Sequence, residues 1–82
     1  MRRRVCDDPV QVHVSGERMV GFRRGGRDYE VVALLKMRAC IRPLDGVNSR
    51  LCQVRARSSA TPETMYELQC EHGRWRLTAE WL

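Results

Sequence analysis

Large apolar side chains are scarce in this sequence: Phe22, Tyr29, Tyr66, Trp75 and Trp81 are the only aromatics among 82 residues. A chain of this size buries roughly 60% of the surface it would expose unfolded, so its core is thin and each large residue counts. Long apolar runs are missing as well. The longest, Val31 to Leu35, has five residues, whereas a membrane-spanning helix needs about 20. No apolar stretch follows Arg2-Arg3-Arg4, so no secretory signal is read there, and the expectation is a cytoplasmic protein with no membrane partner. Lysine is nearly absent: Lys36 stands alone beside fourteen arginines. So lopsided a ratio reads more simply as a GC-rich coding sequence than as selection for phosphate contacts. Three of the five net positive charges lie in the Arg2–Arg4 run. Residues 1–8 are therefore expected as a flexible basic arm and 9–82 as a single β domain. Closely spaced cysteine pairs are lacking too. Cys6, Cys40, Cys52 and Cys70 contain no C-x2-C or C-x4-C, the spacings that present two thiolates to zinc from one turn. Reduced, packed thiols are expected, with no metal and no cofactor; zinc and a disulfide stay as the alternatives. Pairing Val54 with Leu68 would set Cys52 opposite Cys70.

What is present is alternation. No window carries apolar residues at sustained helical spacing, but period two recurs. Val10, Val12 and Val14 form one such series; Cys52, Val54 and Ala56 a second; Tyr66, Leu68 and Cys70 a third; Trp75, Leu77, Ala79 and Trp81 a fourth. These are the marks of antiparallel strands with one wet face. Gly25-Gly26 and His72-Gly73 suit two-residue hairpin turns, whose central residues need positive φ. Closing the first puts Phe22 opposite Tyr29 and Val20 opposite Val31. The second sets Cys70 opposite Trp75, Leu68 opposite Leu77 and Tyr66 opposite Ala79, with Glu71 meeting Arg74 and Gln69 meeting Arg76 on the other face. A one-residue slip would invert every side chain, so two hairpins that pair like with like support the register. The reading is all-β: six antiparallel strands at about 9–15, 18–24, 27–37, 50–58, 64–71 and 74–81. Loops fall at Arg42–Ser49 and Ser58–Glu63, and the sheet is a strongly bent one or an open barrel. The third strand stands apart, because Val32 and Leu34 make it apolar on both faces.

Catalytic constellations do not emerge. His13 is read as outward on the first strand and His72 as part of a turn, and no serine, cysteine or carboxylate motif frames either. Asp7-Asp8 precedes Pro9 as a turn leading into a strand. No enzyme is expected and no catalytic residue is assigned. Nucleic-acid contact has more to recommend it. Arg23, Arg24 and Arg27 cluster at one hairpin, Arg55 and Arg57 alternate outward on strand four, and Arg74 and Arg76 outward on strand six; small curved sheets bind single strands through such basic grooves. Against this, Tyr29, Tyr66, Trp75 and Trp81 alternate inward as core, and Glu67, Glu71 and Glu80 offset the outward charge.

The segments Asp8-Pro9-Val10-Gln11-Val12, Gly26-Arg27-Asp28-Tyr29-Glu30-Val31, Val54-Arg55-Ala56-Arg57, Met65-Tyr66-Glu67-Leu68 and Gly73-Arg74-Trp75-Arg76-Leu77, in that order, resemble a small actinobacterial β-domain family of unknown function. A similar module closes the C-terminal region of the ImuB-type, Y-family-polymerase-like protein of the bacterial mutasome. The likeness runs from about Asp7 to Trp81. It departs where members carry tryptophans around the end of strand three and the start of strand four; here Met37, Arg38, Leu51 and Cys52 occupy that region. The resemblance implies a docking or DNA-clasping accessory of DNA-damage tolerance, without catalytic residues.

Two functions follow for test. The first is a protein-interaction module whose exposed third strand presents Val32 and Leu34 as an apolar centre with Lys36 and Arg38 as a polar rim, toward a partner protein or a second copy of the chain. The second is a single-stranded nucleic-acid binder using the seven arginines above. A purely structural resolution also exists, in which Met1–Asp8 or the Arg42–Ser49 loop folds over Val32 and Leu34.

Overall fold

Left-handed backbone falls where the sequence sets its hairpins. Gly25 and Gly26 have φ of 56° and 79°, and His72 and Gly73 have φ of 54° and 74°, so both turns carry the twist that flanking strands require. A computed structural model describes residues 2–41 and 48–82, the side chains of residues 40, 41 and 48 excepted. It contains six strands: β1 (Arg3–Ser15), β2 (Arg18–Arg24), β3 (Arg27–Ile41), β4 (Asn48–Arg57), β5 (Thr64–Glu71) and β6 (Arg74–Trp81). Each pairs antiparallel with its chain neighbour, and β1 returns to β6, closing a small barrel. Closure pairs every strand on both sides over at least part of its length, so an edge is left open only where a ladder stops short.

The core is the inward half of each alternation. Phe22, Tyr29, Val54, Ala56, Tyr66, Leu68 and Leu77 are buried. Phe22 and Tyr29, directly opposite in register, stack with centroids 4.8 Å apart, and Tyr66 meets both rings edge-on at 5.7 and 5.5 Å. Such contacts add to simple burial, which matters where aromatics are few. Trp75 and Trp81, expected as core, are only half-buried. Trp75 packs against the core cluster and Trp81 lies under the Arg3 guanidinium, 5.8 Å from its ring centroid.

Several expectations shift. From Arg3 onward the anticipated arm is strand: Arg3 pairs with Trp81 and Val5 with Ala79, and Arg2 and Leu82 exchange backbone hydrogen bonds of 2.9 and 2.8 Å. A register shift between Val5 and Asp8 carries β1 past Cys6 and Asp7. In β5–β6 the pairs Cys70–Trp75 and Leu68–Leu77 hold, but Thr78 is an extra residue. Glu67 therefore pairs with Ala79, and Tyr66 with Glu80 rather than with Ala79. Bulges of this kind rotate the strand, and Glu80 turns inward to 6% exposure instead of lying on the outer face. Val54 pairs with Tyr66, not Leu68, so Cys52 faces Leu68, and Cys70 faces Arg50. Residues 42–47 of the expected Arg42–Ser49 loop lie outside the described residues. Among the described residues no helix is long and apolar enough to cross a membrane.

Candidate functional site

The weak seam of the barrel is between β2 and β3. Their ladder has four pairs, from Arg24–Arg27 to Gly21–Glu30, and stops there; the expected Val20–Val31 pair does not form. Gly21 marks the parting point. A Cβ built on it would lie 2.6 Å from the Tyr29 carbonyl oxygen, so only glycine lets the strands approach this closely. Beyond it β2 follows β1, with Val14 opposite Met19 and Ser15 opposite Arg18, while β3 follows β4.

Along β3 two residues, Val32 and Leu35, are extra relative to β4: Val31 pairs with Ala56, Ala33 with Arg55, Leu34 with Val54, Lys36 with Gln53 and Met37 with Cys52. Paired residues share a face, so Leu34 and Met37 lie on the face of buried Val54 and Cys52. Yet Leu34 is 49% and Met37 58% exposed, because β2 no longer covers them. The result is a cleft of about 540 Å³, with Val14 and Met19 on one wall, Val31, Val32, Leu34 and Met37 on the other, and Cys52 and Trp75 at its floor. Arg18, Arg50 and Glu17 also line it. Val32 and Leu34 both line this cleft. Lys36 and Arg38 are exposed and pair with Gln53 and Leu51 on β4. The four do not form one stripe, since the bulges break the alternation on which that reading relied. The N-terminal segment cannot be their cover, because β6 holds it. Sequence reading missed Met19, Met37 and Trp75 as cleft residues; the run Val31-Val32-Ala33-Leu34-Leu35 carries a hint, being too apolar for a one-sided strand.

The seven arginines do not converge. Arg24 is drawn into the closed end of the barrel, where Nε and Nη2 donate to Asp8 Oδ2 at 2.9 and 2.6 Å and Nη1 to Glu80 Oε2 at 2.9 Å. Burial opposes its charge, but the hydrogen bonds it donates to Glu80 and Asp8 outweigh burial and hold the guanidinium above its ordinary pKa. Arg4 approaches the second Glu80 oxygen at 3.6 Å. Arg57 pairs with Glu30 at 3.2 Å, Arg55 with Glu63 at 3.4 Å, and Arg76 with Asp7. Arg74 faces Glu71 and Arg23 faces Asp28 in register. Arg24, Arg27 and Arg55 do line one cavity at the closed end, together with Glu63 and Glu80.

Burial, and then Glu80, push the Cys6 thiol above its ordinary value, and burial does the same for Cys52, which favours thiol over thiolate. His13 and His72 are exposed, His13 opposite Gly21 and His72 in its turn. Among the described residues no group of three or more His, Cys, Asp or Glu side chains is placed to hold a metal ion. No family model, no curated protein and no solved structure matches this chain.

Proposed function

We propose that this barrel is a non-catalytic protein-interaction module that docks its partner in the β2–β3 cleft. One observation carries the reading: Leu34 and Met37 share a face with the buried Val54 and Cys52 but are left half-exposed or more. Burying such side chains stabilises by roughly 1.5–3 kcal/mol each, and a thin core that forgoes this has a surface suited to another chain. The accessory role in DNA-damage tolerance rests on the sequence resemblance alone and gives the partner's setting. The nucleic-acid alternative has less support, since Arg24, Arg55, Arg57 and Arg76 each carry a carboxylate partner.

The test is affinity purification from the native host under nuclease treatment, comparing wild type with a Leu34→Thr/Met37→Thr double variant. The variant is expected to fold and to lose the proteins that wild type retains. Equal retention by both overturns the reading, as does a variant that loses its fold, which would make the pair core. A salt series separates the alternative: polynucleotide affinity falls steeply with salt, whereas docking in an apolar cleft changes little.

A further inference from the structure

The interaction reading says where a partner sits, and the strand edges beside the cleft say what form it takes. Resting on that reading, we propose that the cleft receives an extended segment of a partner protein, alternating acidic and apolar residues, which adds as a strand to the open edge of β3. β3 has 15 residues, and β2 pairs with it only over Arg27 to Glu30. Among the described residues no backbone hydrogen bond outside the strand ladders reaches the remaining edge. Unpaired edge amides and carbonyls are the template that strand-adding peptides use.

The bulges divide this edge into two parts. From Val31 to Leu35 the extra residues Val32 and Leu35 interrupt the regular spacing, so this stretch offers side chains. From Lys36 to Ala39 the pairing with Gln53, Cys52, Leu51 and Arg50 is unbroken, so the backbone there is regular enough to extend the sheet. The incoming strand forms its ladder on Lys36–Ala39 and sets alternate apolar side chains over Leu34, Met37 and Trp75. The stretch from Val31 to Ala39, less the bulged Val32 and Leu35, accommodates a segment of about seven residues at roughly 3.3 Å each.

Charge selects the segment. Arg18 and Arg50 line the cleft, Lys36 and Arg38 stand on the strand forming its wall, and Glu17 is the one carboxylate among the described residues of the lining. Lys36 and Arg38, paired with Gln53 and Leu51, share the face away from Leu34 and Met37, so acidic residues alternating with the apolar ones of the guest meet these two, while Arg18 and Arg50 add positive charge within the cleft. The same charges argue against a second copy as occupant, because pairing β3 with itself brings the Lys36–Arg38 stretches of two chains of net charge +5 together, and like charges opposite each other destabilise a ladder. A polynucleotide would satisfy the cations but has nothing to match the backbone edge or the apolar walls.

The experiment is selection of random twelve-residue peptides displayed on phage against the immobilised barrel, followed by fluorescence anisotropy of the enriched sequences. Enriched peptides are expected to carry an excess of Asp and Glu alternating with Val, Ile, Leu or Phe. Their affinity falls at least about tenfold in a Lys36→Glu/Arg38→Glu variant and is unchanged in Arg57→Ala, on the far side of the ladder. N-methylation of alternate backbone nitrogens in one peptide abolishes binding in one phase of the alternation and leaves it intact in the other, a pattern that mere charge attraction does not produce. Absence of enrichment, enrichment without acidic excess, or insensitivity to N-methylation in both phases overturns the proposal. So does tighter binding of oligo-dT than of any peptide, or dimerisation in sedimentation that depends on Leu34. If host proteins are still lost from the Leu34→Thr/Met37→Thr variant while these peptide results fail, the docking reading survives and only the strand-adding acidic guest is discarded.

Discussion

Gly21 and Glu80 show how single residues set the shape of this barrel. At Gly21 the cause is steric, since any side chain would meet the Tyr29 carbonyl oxygen. Gly21→Ala is expected to destabilise by about 1–3 kcal/mol through forced backbone movement, measured by urea unfolding; an unchanged midpoint would show that the seam yields freely. At Glu80 the cause is electrostatic. Its side chain is 8% exposed and its charge is met by Arg24, so Arg24→Met strands a buried carboxylate. Loss of one partner of a buried pair costs about 3–5 kcal/mol; Arg4, at the second oxygen, holds this case to the lower end, and a loss below about 1 kcal/mol would place Glu80 in water. Protons tell a related story. Burial raises the Cys52 thiol above its ordinary 9.0, and burial followed by Tyr29 raises the Tyr66 phenol above its ordinary 10.0. The unfolded chain releases these protons first, so stability present below pH 9 declines as pH rises above it. A thermal unfolding series from pH 8 to 11 should show the decline, and Cys52→Ala should lessen it. Phe22 opposite Tyr29 was legible from the Gly-Gly turn. The inward turn of Glu80 was not, because the bulge at Thr78 that causes it leaves the alternation of β6 looking regular.

Elements were legible where a turn pins the register and obscure where a bulge resets it. Both predicted hairpins hold next to their turns and depart from prediction further along: β2–β3 beyond Gly21, β5–β6 beyond Leu68. β3 is the extreme instance, its two extra residues hidden in a run that is apolar at every position from Val31 to Leu35, so period two had nothing to contrast with. Amide exchange tests the consequence. In an antiparallel strand successive amides point to opposite edges, so within Lys36–Ala39 two amides should be protected by β4 and the intervening two should exchange as open backbone. Uniform protection across the four would mean that the edge is covered.

At the scale of the whole molecule, the reach of the N-terminal segment is the main departure from the sequence reading. Charge alone made residues 1–8 look like a solvated arm, and composition contains no sign that β6 needs a partner; closure is a property of six strands together. Arg3, Arg4 and Val5 pair with Trp81, Glu80 and Ala79, and Asp8 holds Arg24. A chain beginning at Pro9 is therefore expected to lose cooperative unfolding. A sharp thermal transition within a few degrees of the full chain would restore the arm interpretation. The half-buried position of Trp75 belongs here too, since it joins the core to the cleft: Trp75→Ala should cost less than the about 3–5 kcal/mol of a fully buried aromatic and should weaken docking as well, read by unfolding and anisotropy together.

The backbone hydrogen bonds between Arg2 and Leu82 carry a consequence for the connectivity of the fold. They bring residues from the two ends of the sequence as near to each other as any neighbours in a ladder, on the rim away from the Val14–Met37 cleft. Head-to-tail ligation through a short linker would thus add a covalent sixth turn to a ring of strands already complete, removing unfolded-state entropy on the order of 4 kcal/mol. In such a circle the His72-Gly73 hairpin could be cut instead, giving a circular permutant with the same strand order around the barrel.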